Sequence, residues 1–302
     1  MISVIIPTHK RAELLFFEIE HIYKQKNVEI EVIVVNDIEE DDPTDLIRVK
    51  FPDVHYIKSN NIQGPSEKHK AGLRVAKGEY LYIPDDDDFL TDEFFFEKAI
   101  DILENDKTLA FVSGGIYKRY ENSDGTLNKK VRQEMNVCGY IDGLTYLQEF
   151  QHKLSKPAST VSTVFRKKAF DEMNAVDMKE CSDSSMYMLS LLWGNAFIMG
   201  DVVGEYRIRQ RGSSLTTTLS VPFIMNVLAQ KEDFYFALKK RLKDPNLFWL
   251  NQIRCTYGIM ANSNNKYVDK LKVLKWCLKH SHGSIRIVVF LVFKSLTMKC
   301  RR

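Results

Sequence analysis

Asp85, Asp86, Asp87 and Asp88 follow directly on the apolar run Tyr80-Leu81-Tyr82-Ile83 and Pro84. Carboxylates this close repel one another, and a divalent cation relieves the repulsion. A cation held by one or two of them keeps positions open for diphosphate oxygens and neutralises charge on a departing nucleoside diphosphate. A solvated loop capping the next helix would use the same residues, but the buried strand before it favours the cation. Two other apolar runs also end in polar groups. Ser3-Val4-Ile5-Ile6 leads into Pro7-Thr8-His9-Lys10-Arg11, and Glu31-Val32-Ile33-Val34-Val35 leads into Asn36-Asp37. A carboxylate such as Asp37 can accept from the imide N–H of uracil, a donor that cytosine and adenine lack. A simple turn is the competing role for it.

The elements that must position these groups alternate between strand and helix. Helical spacing runs from Arg11 to about Lys26, with Leu14, Leu15, Ile19 and Ile22 as its stripe. An acidic loop, Glu39–Asp45, leads into a short helix, and Val54–Ile57 is a third strand. A helix follows Gly64-Pro65 to about Ala76, and Gly78 ends it before the strand Tyr80–Ile83. Thr91 suits the N-cap of the next helix, and Leu109–Ser113 reads as a fifth strand. Solid apolar strands alternating with helices imply an α/β fold with a mostly parallel sheet covered on both faces. Ligands bind beyond the carboxyl ends of such strands, and the parallel order brings all three polar ends to one edge.

The middle of the chain contains a turn at Asn122-Ser123-Asp124-Gly125 and helical patterns at 143–151 and 183–192. Strand patterns occupy 159–166, 196–203 and 205–209. After Pro222 nearly everything reads as helix. The expected organisation is a catalytic domain over 1–220 and a helical region over 221–302. The catalytic domain divides into a nucleotide-binding half (1–113) and an acceptor-binding half (114–220).

Composition narrows the function classes. The chain has 302 residues with 44% hydrophobic and 27% charged, an ordinary globular mix. Its net charge of +3 conceals an uneven distribution. Residues 266–302 hold ten Lys/Arg against one acid, leaving 33 bases against 39 acids elsewhere. The five cysteines are scattered with no CxxC pair, which fits reduced thiols in a cytoplasmic protein. The start lacks a signal-peptide pattern. Ile285–Leu296 is interrupted by Arg286 and Lys294 and is too short to span a bilayer comfortably. No basic-aromatic module points to nucleic acid.

Five segments together resemble the signature of the family-two GT-A glycosyltransferases of bacterial surface-polysaccharide type. They are Ile2–Arg11, Val34–Asp37, Gly64–Gly72, Lys77-Gly78-Glu79-Tyr80 and Asp85–Asp88. Their order and spacing match over about residues 1–215. The resemblance implies a GT-A fold and inverting transfer from a UDP-sugar to an acceptor hydroxyl, assisted by Mn²⁺ or Mg²⁺. It implies that Pro7 and Thr8 line the nucleobase pocket and that Asp37 accepts from uracil, while Asn36 departs from the usual aspartate. By the same resemblance Asp87 is the direct metal ligand, and Asp85 binds ribose or a water on the metal. Asp86, in the same motif, belongs to the nucleotide-sugar-binding set, and Asp88 caps the turn before Thr91.

His9, Arg11, and Lys68 or Lys70 complete the donor-binding set, although His69-Lys70 replaces the usual arginine and asparagine. Asp183 corresponds to the catalytic base, with Asp177 as competitor and Ser182 in place of the usual glutamate. Gly204–Arg209 resembles a Tyr-Arg-any-His segment whose histidine can ligate metal. Arg209 stands there instead, so either the metal has fewer protein ligands or Arg207, Arg209 or Arg211 supplies charge to the diphosphate directly. Ser213-Ser214 matches a loop that closes over the donor. Tyr117, Tyr120, Trp193 and Trp249 are aromatic candidates for stacking on sugar.

The expected acceptor is a saccharide or lipid-linked saccharide. The basic tail has two readings: peripheral contact with an anionic membrane on the cytoplasmic face, or packing on a second subunit. Lys266–Lys279 is amphipathic, with Tyr267, Leu271, Leu274 and Leu278 on one side. Two other function classes compete. A sugar-nucleotidyltransferase would open with a glycine-rich phosphate loop, which Pro7–Arg11 is not. A non-catalytic nucleotide-binding protein would not need Asp37, Asp85, Asp87 and Asp183 together.

Overall fold

The computed structural model describes residues 1–9, 11–37, 42–58, 61–62, 64–122, 126–133, 135–208, 220–262 and 265–299. The chain forms two compact units, one of 1–146 with 155–210 and the other of 147–154 with 211–302.

The first unit begins with β1 (Ile2–Thr8), α1 (Ala12–Ile22), β2 (Ile30–Asn36) and α2 (Thr44–Lys50). Then come β3 (His55–Lys58), α3 (Gly64–Val75), β4 (Tyr80–Tyr82), β5 (Phe89–Leu90) and α4 (Phe95–Asn105). The rest is β6 (Leu109–Glu121), β7 (Leu127–Arg132), β8 (Gly139–Ile141), α5 (Gly143–Gln148), β9 (Thr163–Arg166), α6 (Lys167–Glu172), α7 (Asp183–Trp193) and β10 (Asn195–Ile208).

Among the described residues the sheet runs β3-β2-β1-β4-β9-β6-β10-β5, with β7 on β6 and β8 on β10. β1 pairs parallel with β2 and β4, and β2 with β3. β9 is antiparallel to both β4 and β6, so β6 and β10 run in the same direction as β1 to β4. Every residue of β1 is buried, as expected for a strand covered on both faces. Leu15, Ile19 and Ile22 of α1 and Phe95, Phe96, Ala99 and Leu103 of α4 pack into this core.

Two glycines of the sequence motifs have packing reasons. A Cβ on Gly72 of α3 would come within 2.3 Å of the Ile5 side chain, and one on Gly78 within 2.6 Å of the Ser3 amide. Both hold α3 and its exit tight against β1, so that the start of α3 reaches the ends of β1 and β2.

Several expectations need correction. The boundary at 113 falls inside β6, which continues to Glu121. The two strands expected after 195 are one strand, β10, bent by register shifts against β6. Residues 160–162 form a short 3₁₀ turn before β9. Thr91 does not cap α4: its amide donates to the Val203 carbonyl, the helix starts at Phe95, and the Asp92 carboxylate accepts from Phe94 N–H. Leu14 is only partly buried, and Glu18 takes a place on the buried stripe of α1.

The second unit is built from α8 (Val221–Leu238), α9 (Pro245–Asn262), α10 (Tyr267–Lys279) and α11 (Ile285–Lys299). Ser220 caps α8 by accepting from Phe223 N–H at 3.3 Å. Leu228, Tyr235, Phe248, Trp249, Ile253 and Tyr257 are buried. The buried face of α10 is Val273, Leu274 and Cys277, rotated from the expected Tyr267–Leu278 stripe, so Trp249 and Cys277 serve the core. No helix among the described residues is long and apolar enough to cross a membrane. Cys138, Cys181, Cys255 and Cys277 are unpaired.

Candidate active site

At the carboxyl ends of β1 and β2, charges are paired. Lys68, buried in α3, forms an ion pair with Asp37 Oδ1 and donates to the Thr8 carbonyl at 2.6 Å. His9 Nδ1 lies 3.2 Å from Asp37 Oδ1 on the exposed side. Burial alone would raise the Asp37 carboxyl; the Lys68 hydrogen bond and charge, with His9, overcome it and hold Asp37 below the usual carboxylate range. Asn36 is buried and donates to Tyr56 Oη at 2.9 Å, so the departing residue of the pair has a structural partner. Pro7 pairs with Val35 across the two strands, and Thr8 with Asn36.

The four aspartates separate into two kinds. Asp86 turns inward: it accepts from Thr8 Oγ1 at 2.8 Å and Arg11 Nη1 at 2.7 Å, tying the end of β1 to the loop after β4. Asp88 is also buried, accepting from Ser159 Oγ at 2.9 Å and from Arg207 N–H at 3.0 Å. It therefore joins the approach to β9 with β10, in place of the expected cap on the turn before Thr91. Asp85 and Asp87 are the two that solvent reaches. Arg11 lies 3.6 Å from Asp87 Oδ2.

Protein crowded around Asp85, then the charges of Asp183, Asp87 and Asp86, push its carboxyl up. Water reaching Asp85 tempers the first of these causes, while the charge of Asp183 remains. Like charges facing one another through hard oxygen donors are what a Mg²⁺ or Mn²⁺ site requires, so these residues fit such an ion.

Two residues beneath the loop were missed in the sequence. Glu18 is 1% exposed, and neither carboxyl oxygen has a hydrogen-bond partner. Burial, then the charges of Asp88, Asp86, Asp87 and Asp85, push it well above the usual range. The Tyr82 hydroxyl is likewise buried without a partner. The signal was available, because Glu18 stands three residues after Leu15 and four before Ile22.

Asp183 is the first residue of α7, and its neighbour Ser182 is the N-cap, accepting from Ser185 N–H. Capping therefore falls to Ser182, leaving the Asp183 carboxylate half-exposed, with Lys156 Nζ 3.4 Å away. The segment before it is clamped to α3. Cys181 N–H donates to Ser66 Oγ at 2.8 Å, and the Cys181 carbonyl accepts from His69 Nδ1 at 2.9 Å. Burial lowers the pKa of His69, which favours the neutral ring donating from Nδ1. His69, where the family pattern has arginine, thus faces the Asp183 segment. Asp177 is exposed, and Asp183 rather than Asp177 acts on Asp85.

The remaining candidates lie elsewhere. Lys70 pairs with Glu67 at 2.7 Å, and its charge acts on Glu180 and Cys181, away from the aspartate loop. The Arg207 side chain lies 3.7 Å from Glu121, and its backbone N–H donates to Asp88 in the aspartate loop. Arg209, Arg211, Ser213-Ser214 and Lys10 lie outside the described residues. Trp193 donates to Glu172 at 2.6 Å, and Tyr117 carries Lys130 over its ring at 4.3 Å. Trp249 is fully buried in the second unit, which removes it as a sugar platform.

Comparison with known proteins agrees with this arrangement. The chain is 24% identical to the glycosyltransferase GlyG of Streptococcus pneumoniae over 246 residues, 76% of this chain and 77% of that one. It is 29% identical over 90 residues to WfaP of Escherichia coli, a UDP-Glc:alpha-D-GlcNAc-diphosphoundecaprenol beta-1,3-glucosyltransferase; that match spans 30% of this chain and 36% of WfaP. Staphylococcus aureus TarS 1–349 shares the fold with a TM-score of 0.64 at 14% identity, covering 91% of this chain and 78% of TarS 1–349. The mannosyltransferase PcManGT of Pyrobaculum calidifontis, solved with GDP-Man and Mn²⁺, gives 0.53 at 16% identity, covering 98% of this chain and 79% of that one. These likenesses establish a GT-A fold. The sequence model of Glycosyl transferase family 2 matches residues 3–173, more than half of the chain. The protein therefore belongs to glycosyl transferase family 2 and is a glycosyltransferase.

Proposed function

We propose that the chain transfers a sugar from a UDP-sugar to an acceptor hydroxyl with inversion, in the assembly of a bacterial surface polysaccharide such as capsule, O-antigen or a teichoic-acid decoration. The observation that carries this reading is that Asp183, at the start of α7, lies near enough for its charge to act on Asp85 in the strand-end loop that also presents Asp87. TarS has been solved with UDP-GlcNAc, and WfaP is named for a UDP-Glc donor and a diphosphoundecaprenol-linked acceptor. A catalytic domain over 1–220 and a helical region over 221–302 remain the proposed division.

Asp37 accepts from the uracil imide, oriented by Lys68 and with His9 at its edge. Pro7 and Thr8 line the base through the main chain. Arg11 lies between Asp86 and Asp87, where its charge faces the donor phosphates, and Lys70 and Arg207 belong to the wider basic surround. Asp87, with Asp85 through ribose or water, would hold Mn²⁺ or Mg²⁺, which supplies charge neutralisation on the leaving diphosphate. Asp183 takes the proton from the acceptor hydroxyl. The acceptor oxygen forms its bond to the anomeric carbon as the bond from that carbon to the phosphate oxygen breaks, and its electron pair leaves with UDP.

Asp183→Asn tests this directly. Sugar-nucleotide binding by calorimetry should persist while transfer falls about 10³-fold. Retained turnover would move the base elsewhere. A screen of sugar nucleotides for metal-dependent thermal stabilisation should single out UDP-sugars; a preference for CDP- or ADP-sugars, whose bases lack the ring N–H donor, would remove the role given to Asp37.

We also propose that α11 rests on an anionic membrane surface, where a lipid-linked acceptor is found. Ile285 (78% exposed), Val288, Val289 (61%), Val292 and Phe293 (63%) form an apolar stripe at helical spacing on α11. The ten bases of 266–302 complement an anionic surface. Phe293→Asp should release the protein from phosphatidylglycerol vesicles in flotation. Unchanged flotation, or release accompanied by dissociation of a dimer, would assign the stripe otherwise.

A further inference from the structure

The second unit carries a cluster that the transferase site does not use. Glu232 on α8, and His280 and His282 just after α10, bring one carboxylate oxygen and two imidazole nitrogens within 4.8 Å of one another. Glu232 Oε1 lies 2.7 Å from His280 Nδ1 and 2.7 Å from His282 Nε2.

Both rings are held from behind. His280 stacks on Trp276 with centroids 3.8 Å apart and 9° between planes, and His282 stacks on Tyr235 at 4.9 Å and 11°. The backbone is committed as well. His282 sits at φ 50°, in the left-handed region that non-glycine residues seldom enter, and the His280 carbonyl accepts from Trp249 Nε1 at 2.7 Å. The two ring stacks and the Trp249 hydrogen bond hold both imidazoles beside Glu232.

We propose that Glu232 Oε1, His280 Nδ1 and His282 Nε2 bind a divalent transition metal of zinc type, with water completing four-coordination. Imidazole nitrogens suit zinc, whereas Mg²⁺ prefers oxygen throughout, so this site differs in kind from the aspartate loop. Tetrahedral bonds of ~2.1 Å place ligand atoms about 3.4 Å apart, so each 2.7 Å contact need widen by well under one ångström. Each ring would bind through the nitrogen that faces Glu232, with its lone pair on the metal and any ring proton on the other nitrogen; Glu232 would supply a carboxylate oxygen. The bound ion joins α8 to the turn that precedes α11, fixing the direction in which α11 leaves.

The test uses full-length protein stripped with chelator and titrated calorimetrically with ZnCl₂ in excess Mg²⁺. One tight equivalent and a raised thermal transition are expected, and Asp87→Ala retains both. His282→Ala and Glu232→Gln weaken zinc binding by on the order of a hundredfold. If either variant fails to fold, X-ray absorption of the zinc-loaded wild type decides, because it counts imidazole ligands. Absence of tight zinc binding overturns the proposal. So does zinc binding that survives both variants, that is lost only in Asp87→Ala, or that shows no imidazole; the cluster is then a hydrogen-bonded clip.

Discussion

Two ends of the same sheet edge handle charge in opposite ways. Beyond β1 and β2, Asp37 is already matched by Lys68, with His9 beside it. Beyond β4, the charges of Asp183 and Asp87 act on Asp85, while Arg11 lies 2.7 Å from Asp86 and 3.6 Å from Asp87. The first region is finished before any ligand arrives, and its carboxylate is held ionised. The second stores repulsion that a divalent cation and a diphosphate can relieve together. On the proposed function, a fixed recognition end beside a charge-frustrated reacting end would let the nucleoside bind without the ion, while the phosphates would need it.

The contrast breaks most visibly at Asp87. Asp87→Ala should lower transfer by about 10³-fold or more and abolish the Mn²⁺ dependence of UDP binding, with uridine binding retained. Metal-independent UDP binding of equal strength in the wild type would remove the distinction between the two ends.

At the paired end the expected effect is on stability. Lys68→Met leaves Asp37 without its buried partner and the Thr8 carbonyl without its donor, costing about 2–3 kcal/mol in urea unfolding. The sign with pH follows from the depressed Asp37 carboxyl. Its contribution is present above the ordinary aspartate range and is lost as pH falls through the lowered value. The wild-type advantage over Lys68→Met should therefore shrink in acid; an advantage constant with pH would sever the link.

A smaller effect is expected where α3 holds the acceptor side. His69→Ala should lower kcat about tenfold and leave UDP binding unchanged, because His69 donates to the Cys181 carbonyl, two residues before Asp183. His69→Asn, whose amide N–H can reach the same carbonyl, should recover part of that loss. Equal defects in the two variants would reduce His69 to packing.

What could be read from the sequence followed from local rules. Apolar runs ending in polar residues located β1, β2 and β4, and parallel order brought their ends together. The rest depended on long-range contacts. β9 inserts antiparallel between β4 and β6, a pairing that no local period encodes. The aspartate run could not be sorted by type, since four identical residues differ only in partners: Thr8 and Arg11 for Asp86, Ser159 and the Arg207 amide for Asp88. His69-Lys70 read as an irregular donor contact, whereas the fold turns His69 toward Cys181 and Lys70 toward Glu67. Glu18 was hidden by its chemistry, because a carboxylate on a helix is ordinarily assigned to the solvent face.

Glu18 also sharpens the comparison from below. Its carboxyl is raised first by burial and then by the charges of the aspartate loop, led by Asp88 and Asp86. In metal-free protein, the unfolded chain ionises Glu18 in the ordinary glutamate range while the folded chain keeps it protonated to higher pH. Its favourable contribution is full below that range and is lost as pH rises toward the folded value. Glu18→Gln is neutral at every pH, so it should raise the neutral-pH melting temperature by about 2–4 °C, corresponding to about 1 kcal/mol. The gain should vanish near pH 4, where the wild type is protonated too. A melting temperature raised equally at both pH values would mean that the amide gains through packing and that repulsion from the aspartates does not reach α1.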